Sequence, residues 1–182
     1  MAARFPQAEL TACDIQTEAV DFCAKTFAAK PVYSNADLAK IAFAEKFDLI
    51  WCGSLITHFN EAAIVELLKL FVSSLRQSGL LIFMTHGDFV LADMLNGSPI
   101  YMITAENLAA MEKDYRKHGF AFQNYVNDSP EYSSDDCDYG NSLTSPTCLR
   151  RQVQKVGGLR ELYFQERGWC NHQDVFGFIK AD

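Results

Sequence analysis

Phe47-Asp48-Leu49-Ile50-Trp51-Cys52, closed by Gly53, is the run that decides how this chain folds. Its apolar residues stand side by side instead of alternating, which suits a strand covered on both faces, as in parallel α/β sheets. What flanks it has the other period. Downstream, Asn60 is placed to cap a helix whose Ala63, Val65, Leu67, Leu68, Phe71, Val72 and Leu75 form a wide apolar stripe that stops before Gly79. Gly79-Leu80-Leu81-Ile82-Phe83-Met84 is then the next strand. Upstream, Glu9 to Cys13 reads as a short strand ending at Asp14. Val20, Cys23, Ala24 and Phe27 follow at helical spacing, and Pro31 to Tyr33 is a further strand.

The same alternation continues. Thr104 is placed to cap a helix running to His118 with Gly119 as terminator, and Phe120 to Val126 follows as a strand. Between Asn127 and Pro146 the composition turns to Ser, Asp, Tyr and Gly, with acidic groups at Asp128, Glu131, Asp135, Asp136 and Asp138, and this segment is expected to be a long loop. Ser145-Pro146 opens a basic helix through Val156, closed by Gly157-Gly158. Leu159 to Glu166 and Asp174 to Lys180 read as two strands of a hairpin joined by Arg167 to Gln173. The expected fold is α/β: a doubly wound, mostly parallel sheet ending in a C-terminal antiparallel hairpin. With 182 residues, 49% hydrophobic and without an internal repeat, residues 1–182 are expected to form a single domain.

A net charge of -7 argues against nucleic acid as the main partner, because a polyanion requires a basic face. No stretch is long and apolar enough for a membrane span, and Met1 to Pro6 offers no signal-peptide core. The six cysteines at 13, 23, 52, 137, 148 and 170 contain no Cys-x-x-Cys pair and read as reduced thiols, which favours a cytoplasmic location.

Four segments together resemble the class I S-adenosylmethionine-dependent methyltransferases. They are Leu10-Thr11-Ala12-Cys13-Asp14, then Phe47 through Leu55 with Thr57-His58, then Gly79-Leu80-Leu81-Ile82-Phe83, and Gly168-Trp169-Cys170-Asn171-His172-Gln173-Asp174-Val175-Phe176. The last run is the sharpest. It is similar to small bacterial methyltransferases associated with sugar or glycan modification. The resemblance implies methyl transfer from S-adenosylmethionine to a hydroxyl or amine of a small-molecule or sugar-type acceptor.

It also implies roles. Asp14, at the tip of its strand with Ile15 beside it, accepts hydrogen bonds from the cofactor ribose, or else caps the following helix. Ala36 and Asp37 fall where the adenine lies in this family, or Asp37 caps the turn through Leu38 and Ile41. Cys52, Gly53 and Ser54 follow the strand at the sheet's switch point, where ligands bind at carboxyl ends. Thr57 and His58 continue toward the acceptor, so His58 is a candidate base. His86, in Thr85-His86-Gly87 at the same rim, competes with it. Each histidine is otherwise a hydrogen-bonded structural residue. Asn171, His172 and Asp174 form a candidate polar cluster on the hairpin. A metal site built from His58, His86, His172 and Asp174 is not expected, since no pair has helical two-His spacing. Tyr132 and Tyr139 either cover an acceptor or belong to a solvated loop.

One feature of the family is missing from this sequence. A glycine-rich turn between a first strand and a first helix belongs upstream of Asp14, yet the thirteen residues before it hold no glycine, and Ala2 to Pro6 resemble the tail of that helix. The chain is therefore expected to be N-terminally truncated, lacking the first strand, the first helix and the turn. The strands ending at Asp14 and Cys52 are then expected to pair directly or to be bridged, for example by a second copy in a homodimer filling the slot. Cofactor affinity and activity are expected to fall. A non-catalytic fragment or interaction module is the competing interpretation, and a nucleotide-linked oxidoreductase, against which the hairpin speaks, a third.

Overall fold

The computed structural model describes residues 3–125 and 139–181. Tyr132 and the carboxylates between 128 and 138 lie outside them. The described residues gather into two compact units, Met1–Ala44 and Glu45–Asp182.

The first unit is a βαβ turn. Strand β1 (Thr11–Asp14) leads through α1 (Thr17–Phe27) to β2 (Lys30–Tyr33), and β1 and β2 pair in parallel from Thr11↔Lys30 to Asp14↔Tyr33. Val20 is its buried anchor on α1, and Ala28 ends the helix in a left-handed conformation at φ 53. A 3-10 turn at Leu38–Lys40 follows.

The second unit carries β3 (Phe47–Cys52), α2 (Glu61–Ser74), β4 (Leu75–Thr85), α3 (Asp88–Leu95), α4 (Ala105–His118), β5 (Phe120–Asn124), β6 (Gly140–Thr144), α5 (Pro146–Val156), β7 (Leu159–Trp169) and β8 (Gln173–Lys180). Its main sheet has the order β3-β4-β8-β7, parallel between β3 and β4 and antiparallel through β8 and β7, so the C-terminal hairpin is present. The caps expected from sequence form. Asn60 Oδ1 accepts from Ala63 N at 2.8 Å, Thr104 Oγ1 from Asn107 N at 3.2 Å, and Ser145 Oγ from Cys148 N at 3.2 Å. Helix α2 buries Ile64, Leu67, Leu68 and Phe71 but stops at Ser74. Leu75 already pairs with Phe47, so β4 begins well before Gly79. Lys180 Nζ donates to the carbonyls of Val72 and Leu75 at 2.8 and 3.0 Å, placing a cation on the helix's C-terminal end.

Two apolar clusters hold the unit together. Phe83, Phe176 and Phe178 stack across β4 and β8 with ring centroids 5.6 to 6.2 Å apart. Val90, Leu91, Met94, Tyr101, Met111, Tyr115, Ala121 and Leu143 form the other, between α3, α4 and the β5–β6 pair.

One expectation is narrowed and one is corrected. The strands ending at Asp14 and Cys52 do not pair directly among the described residues: β1 pairs with β2, and β3 with β4, in separate sheets. β1 and β3 are each an edge strand of their own sheet, so each keeps one side to which a bridging segment could add. The segment expected to be loop up to Pro146 contains β6, antiparallel to β5 and buried along its whole length. Gly-Asn-Ser-Leu-Thr has one large apolar residue, so no hydrophobic period announces it. Two of its three polar side chains find partners inside: Asn141 Nδ2 donates to Tyr101 O at 2.8 Å and Ser142 Oγ to Ile56 O at 2.9 Å, whereas Thr144 Oγ1 is buried without one.

At Gly140 an added Cβ would collide with the carbonyl of Gln123, which is backbone and cannot swing aside. Gly140→Ala is therefore expected to cost about 2–3 kcal/mol, in the range of core overpacking, and to lower the midpoint of a circular-dichroism melt by several degrees. An unchanged midpoint would show that β6 is not held against β5 in solution.

Candidate active site

Because β3 and β4 are parallel, with Cys52 opposite Phe83, their carboxyl ends open on one rim, and antiparallel β8 begins there with Asp174 opposite Thr85. The register alone brings Gly53-Ser54, His86-Gly87 and Gln173 together. The Ser54 hydroxyl donates to Gln173 Oε1 at 2.9 Å and accepts from its Nε2 at 2.7 Å, and that Nε2 lies 3.4 Å from His86 Nε2. Thr57 Oγ1 donates to Ser54 O at 2.5 Å, tightening the turn in which Ser54 holds φ 57.

His58 ends the 3-10 turn Ile56–His58 after β3. Its Nδ1 lies 2.9 Å from Gly140 O and 2.9 Å from the Tyr125 hydroxyl. A carbonyl only accepts, so Nδ1 carries the proton and Nε2 keeps the basic lone pair. The ring stacks on Tyr139 at 4.9 Å and tilts against Tyr125 at 5.9 Å. Burial lowers its pKa below the ordinary histidine value, and the bond to Gly140 partly opposes this.

His86 is of another kind. It is 5% exposed, and its pKa is pushed down to about 3 by burial first and then by His172 and His58, with the Ser142 backbone opposing. Its carbonyl accepts from Thr144 N at 2.8 Å. Around it, the Tyr101 hydroxyl lies 3.1 Å from His172 Nε2 and 3.2 Å from Asp93 Oδ2. Tyr101 and His172 stack at 6.1 Å while His86 meets His172 edge-on at 5.7 Å. Burial and Asp93 together hold the Tyr101 phenol well above its ordinary pKa, so it stays protonated.

The hairpin supplies the remaining wall. Asp174 is buried, and its Oδ1 accepts from Arg167 N at 3.0 Å, where Arg167 holds φ 54. Burial raises its pKa, and the Arg167 amide opposes. Gly87 is required opposite it, since a Cβ there would strike the Asp174 carboxylate. The Arg167 guanidinium lies over the Phe89 ring at 3.9 Å.

In the first unit, Asp14 and Ile15 are exposed at the end of β1. Asp14 Oδ1 accepts from Gln16 N at 2.9 Å. Asp37 accepts from Ala39 N at 3.1 Å, so it caps the 3-10 turn, and it also pairs with Lys40 at 3.3 Å; Ala36 beside it is exposed. In the second unit the Cys52 side chain is buried, and Gly53 and Ser54 stand on the rim. His58, His86 and His172 do share one neighbourhood, but among the described residues no three His, Cys, Asp or Glu side chains are arranged to hold a metal ion. Tyr101, Tyr125, Asn141 and Gln173 were not legible as site residues. Each is a single polar residue in an apolar or mixed stretch, and only the β5–β6 pairing and the β4–β8 register bring them to the histidines.

Residues 1–79 match the family model of a methyltransferase domain. A search of curated protein sequences finds no match. Among solved structures, human N-acetylserotonin methyltransferase in complex with SAM aligns with a TM-score of 0.58 at 14% identity, over 100% of this chain and 43% of that one. A SAM-dependent methyltransferase from Clostridium acetobutylicum gives 0.56 at 13%, over 96% and 76%. One from Methanosarcina mazei gives 0.60 at 13%, over 95% and 82%. The chain spans less than half the length of the human protein. Its fold is that of the class I S-adenosylmethionine-dependent methyltransferases.

His86 makes stability depend on pH. Its pKa falls from 6.5 to about 3 on folding, so the unfolded chain takes up the proton first as pH drops. Its contribution is complete above 6.5 and is lost between there and about 3. His58, also lowered, acts in the same direction. Asp174, raised above 3.8, acts in the opposite direction, its contribution being lost as pH rises through the folded value. Melts at about pH 7.5 and about pH 5.5 are expected to show the parent losing stability on acidification and His86→Gln losing much less of it. Equal losses in both proteins would place the acid sensitivity elsewhere.

Proposed function

We propose that this chain is the body of an S-adenosylmethionine-dependent methyltransferase acting on a hydroxyl or amine of a small-molecule or sugar-type acceptor, with His58 as the base. The observation that carries this is the fixed tautomer of His58. Its Nδ1 is held by Gly140 O at 2.9 Å, on the rim beyond β3. S-adenosylmethionine, when bound, supplies a methyl carbon activated by its sulfonium. The protein's task is to align the acceptor and remove its proton.

The donor set of Asp14 suits the cofactor ribose. One carboxylate oxygen is committed to the Gln16 amide, and the exposed side chain can offer the other to two neighbouring hydroxyls. Ile15, 59% exposed, offers an apolar flank beside it. At the rim, His58 takes the acceptor proton on Nε2 while Tyr125 and Gly140 keep the ring from turning. His86, buried and neutral with a pKa of about 3, is a poor base near neutral pH. It is proposed to position Gln173 and, through it, Ser54. Tyr101 and His172 close the acceptor side with a protonated phenol. The five free cysteines among the described residues support a reducing, cytoplasmic setting.

Calorimetric titration with S-adenosylhomocysteine is expected to show micromolar binding that Asp14→Ala weakens by about tenfold or more. In an acceptor screen, His58→Gln is expected to lower turnover about 10²- to 10⁴-fold while leaving that binding intact. Absence of binding by the parent chain would favour a fold that lacks its cofactor grip, and full activity in His58→Gln would remove it as the base.

A further inference from the structure

Lys117 and His118 from the end of α4 and Arg151 and Lys155 from α5 face one cavity of about 330 Å³, together with Glu61 and Cys148. None of these residues belongs to the rim described above. Arg151 and Lys155 stand four apart on one face of α5, a like-charge spacing that destabilises a helix. Lys117 faces them from a second helix. In a chain of net charge -7 this convergence needs an explanation.

The usual explanation, pairing with carboxylates, does not apply. Lys30, Lys40, Lys69, Arg76, Arg116 and Arg150 each hold an ion pair, whereas among the described residues Lys117, Arg151 and Lys155 hold none. Glu61 lines the cavity too, but its Oε1 accepts from Gln152 Nε2 at 3.3 Å. A favourable helix dipole accounts for Lys117 and His118 at the end of α4, and Arg151 Nη2 donates to His118 O at 2.9 Å. The dipole also covers Lys155, in the last turn of α5, but it does not account for the convergence of three cations from two helices on one opening.

We propose that this cavity is a binding site for a small phosphate monoester. Lys117, Arg151 and Lys155 supply the charge-assisted donors that a dianion requires. Glu61 accepts from a ligand hydroxyl, and Phe120 gives the organic part an apolar wall. Burial and then Glu61 raise the Cys148 thiol pKa, with Arg151, which is hydrogen-bonded to it, and Lys155 opposing, so the thiol stays neutral and does not repel the anion. The volume lies at the small end of ligand pockets and exceeds what inorganic phosphate alone requires.

The test is titration of the full chain at low salt, by calorimetry or amide shifts, with ribose 5-phosphate and with inorganic phosphate as probes. Saturable binding is expected for both, tighter for the ester. Lys117→Gln and Lys155→Gln are each expected to weaken it by about tenfold, and Glu61→Gln to weaken the ester alone. Lys113→Gln, an exposed charge on α4 outside the cavity, is expected to change nothing, and a circular-dichroism spectrum confirms that each variant is folded. Three results would overturn the proposal: no saturable binding of either probe, affinities unmoved by the lysine substitutions, or inorganic phosphate binding as tightly as the ester.

Discussion

A buried polar strand sets the terms for the rest of the second unit. Every residue of β6, Gly140–Thr144, is out of solvent, so its amides, carbonyls and polar side chains need partners inside the protein. Those partners are the segments that build the rim. Gly140 O holds His58, Asn141 Nδ2 holds the Tyr101 carbonyl, Ser142 Oγ holds the Ile56 carbonyl, and Thr144 N holds the His86 carbonyl. One five-residue strand thus fixes the turn after β3, the end of β4 and the segment after α3. Removing any of these bonds would leave a buried donor or acceptor unpaired, which is why the rim behaves as one piece rather than as separate loops.

The two histidines on that rim show how environment sets chemically identical side chains apart. Both are kept neutral by burial, but to different depths. His86 sits under Tyr101, His172 and Gln173, where a proton is expensive and structural service is natural. His58 stands in a partly open aromatic setting of Tyr125 and Tyr139 with one nitrogen tied to a carbonyl. In the second arrangement the ring is less deeply buried and is oriented by a carbonyl. On the hairpin side, Asp174 does what a buried carboxylate next to a turn can do: it receives the Arg167 amide and so pins a backbone held at positive φ.

Much of the architecture was legible in the sequence because it rests on local rules. The side-by-side apolar run at Phe47–Cys52, the caps at Asn60, Thr104 and Ser145, and the long hairpin strands all depend on residues close together in the chain. The rim position of Gly53-Ser54 and His86 also followed, since it needs only the rule that parallel strands present their carboxyl ends together. Strand β6 did not follow. Its burial is decided by hydrogen bonds to residues 40 and 86 positions away, and a polar pentapeptide carries no sign of them. The same holds for Tyr101 and Gln173, whose partners His172 and Ser54 are 71 and 119 positions distant.

By itself, then, the sequence determined the alternation of strands and helices and the parallel start and antiparallel finish of the sheet. Hydrophobic period and capping chemistry act within one element and need no knowledge of the rest. Tertiary structure alone decided that β1 pairs only with β2 among the described residues, that a polar strand is buried, which nitrogen of His58 faces a carbonyl, and that three cations without ion pairs from two helices share a cavity. Each of those depends on a distance between groups far apart in the chain, and burial and electrostatics are functions of that distance rather than of residue type.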